Sequence, residues 1–230
     1  MADAANLLAV LQHGDSFFPS GAISFSWGLE TLHADGVVTT AETLSRFVSG
    51  QIEQRWACCD RPALAWAHRA GDDLDAVAAV DGELEALALP AELRSGSRRA
   101  GAALLGVHAR LGGGRAAAYR ERVLDDGDVA HLRAVGHLAL VQGLVLGAAG
   151  LTENGAAAVS AHALATGLAG AGLRLGIVGH LDAQRILAGL RPTLARLLET
   201  PPPARLSSFS PQADIAMMRH ERQSPRLFAN

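Results

Sequence analysis

Ala134-Val-Gly-His-Leu-Ala-Leu-Val-Gln-Gly-Leu-Val-Leu-Gly-Ala-Ala-Gly-Leu-Thr152 and, past the lone charge of Glu153, Asn154-Gly-Ala-Ala-Ala-Val-Ser-Ala-His-Ala-Leu-Ala-Thr-Gly-Leu-Ala-Gly-Ala-Gly-Leu173 contain no acidic residue and no arginine. Each approaches the roughly twenty helical residues that cross a bilayer, so their reading separates a membrane hairpin from a helical core. Small residues dominate both, and His137, Gln142, Asn154 and His162 would each face lipid without a partner. A buried central helix pair is the better reading. Gly143 and Gly147, like Gly172 and Gly176, are four apart, the spacing that lets helix backbones approach closely, inside one chain or across a dimer interface.

Working outward, alanine, leucine, arginine and glutamate stretches are broken by glycine and proline, with no sustained period-two alternation of β-branched residues. The fold class is therefore all-α, a single multi-helix bundle-like domain. The pattern predicts helices over 4–13, 24–34, 41–59, 62–70, 74–87, 91–111, 129–150, 156–180, 182–198 and 211–222. Thr39-Thr40-Ala41-Glu42 matches a capping box and fixes one start. Gly112-Gly113-Gly114 reads as a flexible turn, and the cluster Asp125-Asp126-Gly127-Asp128 as a loop.

With 49% apolar residues in 230, the chain can bury a proper core. A net charge of −3 without a long basic run offers nothing to nucleic acid or an anionic membrane. All 20 basic residues are arginine, which excludes a phosphate-loop lysine, a pyridoxal Schiff base and a lysine general base. Adjacent Cys58 and Cys59 have neither zinc-site nor disulfide-framework spacing and read as two small helical side chains. Only Asp3 is charged among the first ten residues, so the cytoplasm is the expected setting.

No two of the nine histidines are three or four apart, as a pair on one helix face would be. His220-Glu221 lacks the second histidine of the zinc-protease pattern, and there is no hydrolase elbow. Neither catalytic residue, metal nor cofactor is assigned. A small helical metal-dependent hydrolase built from scattered histidines and a membrane hairpin are the alternatives.

The last thirty residues differ in kind. After Pro201-Pro202-Pro203, Ser210 reads as an N-cap with Pro211 in the first helical position. Asp214 lies in the first turn and Arg219, His220 and Arg222 in the last, matching the helix dipole. Ile215 and Met218 form a short apolar stripe, and Pro225 stops the helix before Arg226-Leu227-Phe228. A helix this short is marginal alone, so 201–230 is expected to be a partner-binding tail that orders on a partner, appended to a 1–200 domain. A second unusual segment is the loop Asp15-Ser-Phe-Phe-Pro-Ser-Gly21, where Phe17, Phe18 and Pro19 either plug the core or form an interface.

These pieces coincide with a family. Leu8-Ala-Val-Leu-Gln-His-Gly-Asp-Ser-Phe-Phe-Pro-Ser-Gly21 and Ser26-Trp-Gly-Leu-Glu30 open the match, and Glu92-Leu-Arg-Ser95 and Gly136-His-Leu-Ala-Leu-Val-Gln-Gly143 continue it. Gly179-His-Leu-Asp-Ala-Gln-Arg185 and the tail from Asp214 to Phe228 complete it. In this order they make the chain resemble the urease accessory protein UreF family along nearly its whole length. Departures fall at Gly21-Ala22-Ile23, where Gly-Gly-Phe is common, and at Ala229-Asn230. The resemblance implies a non-catalytic, usually dimeric helical chaperone of nickel metallocentre assembly. Its implied partners are UreD (also called UreH), the GTPase UreG and apo-urease, with the tail ordering against UreD. By that carry-over Arg219, His220, Glu221, Arg226, Leu227 and Phe228 are the candidate partner-binding residues, together with Phe17, Phe18 and Pro19.

Overall fold

In the computed structural model, residues 4–19, 25–125, 133–224 and 226–228 are described, and every regular element among them is a helix. Several sequence features lie outside the described residues: Gly21-Ala22-Ile23, Asp126-Gly127-Asp128, His131, Pro225 and Ala229-Asn230.

Helix α1 (Ala4–Gly14) is followed by α2 (Leu29–Ala34) and α3 (Ala41–Gly50). Thr40 caps α3: its hydroxyl accepts from the Thr43 amide at 3.2 Å, and the Thr43 hydroxyl accepts from the Thr40 amide at 2.9 Å. The box thus closes on Thr43 rather than on a glutamate, because Thr43 is the residue three positions past the true N-cap. The predicted helix 41–59 is not one regular α-helix. After Gly50 it becomes a π-helix, Gln51–Asp60, that runs directly into α4 (Arg61–Ala70). The wider turn aims Gln51, Ile52, Arg55, Trp56, Ala57, Cys59 and Asp60 into the protein, polar and apolar side chains together.

α5 (Leu74–Leu87) has the predicted bounds, with the Asp73 carboxylate accepting from the Ala76 amide. α6 (Ala91–Arg110) is followed by α7 (Gly114–Leu124), a helix the sequence reading missed. Burial of Ala116 and Tyr119 against the core makes it helical although two glycines precede it and a third opens it. The next helix begins at Leu138: of the predicted 129–150, residues 129–132 lie outside the described residues, and 133–137 is irregular, with Gly136 at φ 83°, and held by the buried carboxylate of Asp81. That carboxylate accepts from the amides of Val135, Gly136 and His137 and from the Tyr119 hydroxyl, at 2.6–3.0 Å.

α8 (Leu138–Ala148) and α9 (Glu153–Arg174) form the centre. At about 1.5 Å per residue α8 is roughly half a bilayer span, too short for one arm of the transmembrane hairpin weighed as the alternative. α9 alone among the described helices is long and apolar enough to cross a membrane, yet it packs on α1, α4, α8 and α10 (His180–Glu199). Two apolar clusters result, one around α4, α6 and α8 and one around α2, α3 and α10, with α9 contributing to both.

The glycine pairs split. A methyl group on Gly143 would fall on the carbonyl oxygen of Leu64, on Gly147 on the His68 ring, and on Gly172 on the Leu44 side chain. These close approaches are between helices of one chain. Gly176, at φ 73°, follows the end of α9 in the left-handed region, and a methyl group there would meet nothing. Gly143→Ala is expected to cost about 3 kcal/mol, since the obstacle is α4 backbone rather than a movable side chain. A chemical denaturation series comparing it with Gly176→Ala, a strained but open site, checks the packing component.

Candidate partner-binding surface

Beyond α10 the chain turns back over the π-helix. The Arg61 guanidinium donates to the Thr200 carbonyl at 2.5 Å, and the Ser207 amide donates to the Cys58 carbonyl at 3.0 Å. The tail helix α11 (Pro211–His220) then lies across α2 and the start of α6. It begins after Ser210 with Pro211 in the first turn, as the sequence predicts, but the Ser210 hydroxyl caps nothing. Ala213, Ala216, Met217 and His220 face inward, where Met217 and Ala213 join Ala88 and Leu93 under the rings of Trp27 and Phe47. Gly28, at φ 81°, sits where a methyl group would press on the Ala213 carbonyl and Ala216, so only glycine admits α11 this close.

The two ends of α11 are held differently. At its start, Ser210 Oγ and Asp214 Oδ1 on the tail and Gln51 Oε1 and Arg55 Nε on the π-helix are buried with no hydrogen-bond partner. Each such group costs about 1–3 kcal/mol relative to a paired one. Burial pushes the Asp214 carboxyl up and that of Asp60 up, against the pull of the Arg55 guanidinium on both. Arg55 also lies 3.5 Å from Asp60 and 5.4 Å over the Trp27 ring. The other end is a clasp. His220, fully buried, has its Nδ1 2.8 Å from Glu92 of α6 and its Nε2 3.0 Å from Glu30 of α2. Arg226 donates to the second Glu92 oxygen at 2.8 Å, and the amides of Leu227 and Phe228 donate to Glu30 at 2.7 and 3.1 Å. Glu221 accepts from the amides of Ala91 and Glu92, supplying the α6 cap that Pro90 cannot, and Arg219 pairs with Asp35 at 2.6 Å. Burial alone would raise the Glu30 carboxyl, but the amide and imidazole donors outweigh it and hold it below the usual range.

The predicted site residues therefore divide. His220 and Phe228 are covered by the chain's own helices, with the Arg174 guanidinium 4.9 Å over the Phe228 ring. Arg219, Glu221 and Arg226 are surface groups tied to acidic residues or amide donors of the body. Leu227 is outward. So are three apolar side chains outside the predicted set: Phe209, Ile215 and Met218 are 74%, 57% and 41% exposed, against 60% for Leu227. The three-residue spacing of Ile215 and Met218 is the signal in the sequence; what it could not say is that this stripe faces solvent while the alanine face is buried. The Phe17-Phe18-Pro19 loop divides in the same way. Phe18 enters the core beside His13 and His108, and Phe17 is 93% exposed, with Pro19 also outside. Burial, with His13 nearby, lowers His108 to about 4, a neutral core histidine at ordinary pH.

No group of three potential metal ligands forms among the described residues, and burial raises the Cys59 thiol to about 12, leaving it protonated. The UreF family model matches residues 38–191. Urease accessory protein UreF of Trichodesmium erythraeum (strain IMS101) is 32% identical over 99% of this chain and 98% of its own length. The protein of the same name from Rhizobium leguminosarum bv. viciae is 33% identical over 92% and 90%, and that of Bacillus sp. (strain TB-90) 31% over 96% and 98%. With an all-helical core, a matching family model and full-length similarity, the chain belongs to the urease accessory protein UreF family.

Proposed function

We propose that this protein is a non-catalytic scaffold of urease nickel-centre assembly. It acts in the cytoplasm by binding UreD (UreH) and recruiting the GTPase UreG for delivery of nickel to apo-urease, as a homodimer. The observation that carries this reading is the tail: a helix anchored inward by Met217 and His220 while Phe209, Ile215, Met218 and Leu227 stand outward. Exposed apolar side chains on a fixed helix are what a partner groove takes up. The absence of lysine supports the division of labour, since the amine of a nucleotide-binding loop must come from another chain.

The test is co-expression of this chain, intact and truncated after Phe209, with the UreD homologue from the same source, read by size-exclusion chromatography with light scattering. The intact chain is expected to form a complex and the truncated chain to remain folded but unbound. Binding by both would move the interface to the helical body, and binding by neither would overturn the scaffold assignment. Modulation of UreG would appear as a change in its GTP turnover or nickel release when this protein is added.

A further inference from the structure

We infer that His220 is a proton-operated latch, which holds the tail on the body as an imidazolium between Glu30 and Glu92 and frees the tail when it loses its second proton. The geometry carries this. Both ring nitrogens lie within hydrogen-bonding distance of carboxylate oxygens, at 2.8 and 3.0 Å, and a carboxylate can only accept. Both contacts are hydrogen bonds only if both nitrogens carry hydrogen. A neutral ring, itself without solvent exposure, would turn a lone pair on one of two carboxylates that are 14% and 11% exposed, where an unmet charge is costly.

The same two carboxylates fix the rest of the tail, so losing the proton affects more than one bond. Glu30, from α2, also receives the amides of Leu227 and Phe228, and Glu92, from α6, also receives Arg226. The other charged groups at the clasp are the Arg219–Asp35 pair on the α2 side, Glu221 over the α6 amides, and Arg174 of α9 above Phe228. Remove the imidazolium charge and Glu30 keeps the Leu227 and Phe228 amides and Glu92 keeps Arg226, but the cation the two carboxylates share is gone. On the acid side the sign is opposite. The Glu30 carboxyl is held below its ordinary value, so its contribution is present at neutral pH and is lost only as pH falls through that lowered value. Docking is therefore confined to a window bounded by Glu30 below and His220 above.

A pH series on the full chain by nuclear magnetic resonance tests this, following the His220 ring nitrogens, the Leu227 and Phe228 amides, and the Leu144 amide as a marker of the intact core. As pH rises, the loss of the second ring proton and the move of the tail amides to unstructured positions are expected at one midpoint, with Leu144 unchanged. A neutral ring with docked amides overturns the latch. So do amides at unstructured positions throughout, or an imidazolium that persists until Leu144 also unfolds. His220→Gln, whose amide donates to one carboxylate but turns its oxygen on the other, is expected to leave the tail detached at every pH, and a docked tail in that variant would count against the proposal. The latch concerns docking within one chain, so its failure leaves the UreD-binding reading to its own test.

Discussion

Asp81→Ala is expected to lower the unfolding free energy by about 4 kcal/mol. The carboxylate is fully buried and satisfies four donors: the amides of Val135, Gly136 and His137 and the Tyr119 hydroxyl. Alanine would leave all four in a site sealed by α5, α6, α7 and α8. The loss spreads because the 133–137 segment delivers His137 to Glu85 and Ser97, and the Ser97 hydroxyl accepts from the Leu138 amide at the start of α8. Tyr119→Phe removes one of the four bonds while keeping the packing, and about 1 kcal/mol is expected. Urea midpoints of the two variants against the parent protein check the ratio. An Asp81→Ala cost as small as that of Tyr119→Phe would mean that the 133–137 segment is not anchored as described.

The same carboxylate shows why part of the fold was legible in the residues and part was not. The bounds of α5 could be read because their causes are local: Asp73 caps the first turn, and the apolar periodicity ends with Leu87. The start of α3 was legible for the same reason, through Thr40, and that of α11 through the proline in its first turn, although the Ser210 hydroxyl caps nothing. By contrast, the irregular stretch before α8 is placed by an acceptor more than fifty positions earlier in the chain, which draws its amides out of helical register. The π-helix is likewise set by distant partners, among them Ser160, whose hydroxyl accepts from the Trp56 indole. Nothing in the local sequence announces a wider turn. α7 was lost to the opposite error, a glycine run given more weight than the buried Tyr119 behind it.

In the tail, composition indicated a helix with a basic end, and the family motif singled out Arg219 to Phe228. The inward role of His220 was not accessible, since its two carboxylates lie 128 and 190 positions away. An amphipathic argument would also have put the larger apolar residues inside. The body instead takes Ala213, Ala216 and Met217 and leaves Ile215 and Met218 outside, because Gly28 brings the backbone at the start of α2 directly against Ala213 and Ala216.

That inversion underlies the second large effect. Ile215→Asp combined with Met218→Asp is expected to weaken UreD binding by roughly 1,000-fold, about 4 kcal/mol shared between two apolar anchors. The double variant is expected to leave the helix docked and the chain folded. Ile215 and Met218 are 57% and 41% exposed, so charging them disturbs the body far less than a change on the buried face, and the clasp at His220 and Arg226 is untouched. This separates a binding surface from a structural element, which truncation after Phe209 cannot do. Titration calorimetry of the purified pair, with circular dichroism and urea unfolding of the variant alone, reads both quantities. Lost affinity at unchanged stability places the UreD contact on the outer face of α11. Undiminished affinity would shift it to the ends of the tail, where Phe209 and Leu227 are the remaining exposed apolar groups. A large loss of stability would instead show that the outer face is needed to hold the helix, contrary to the burial pattern described.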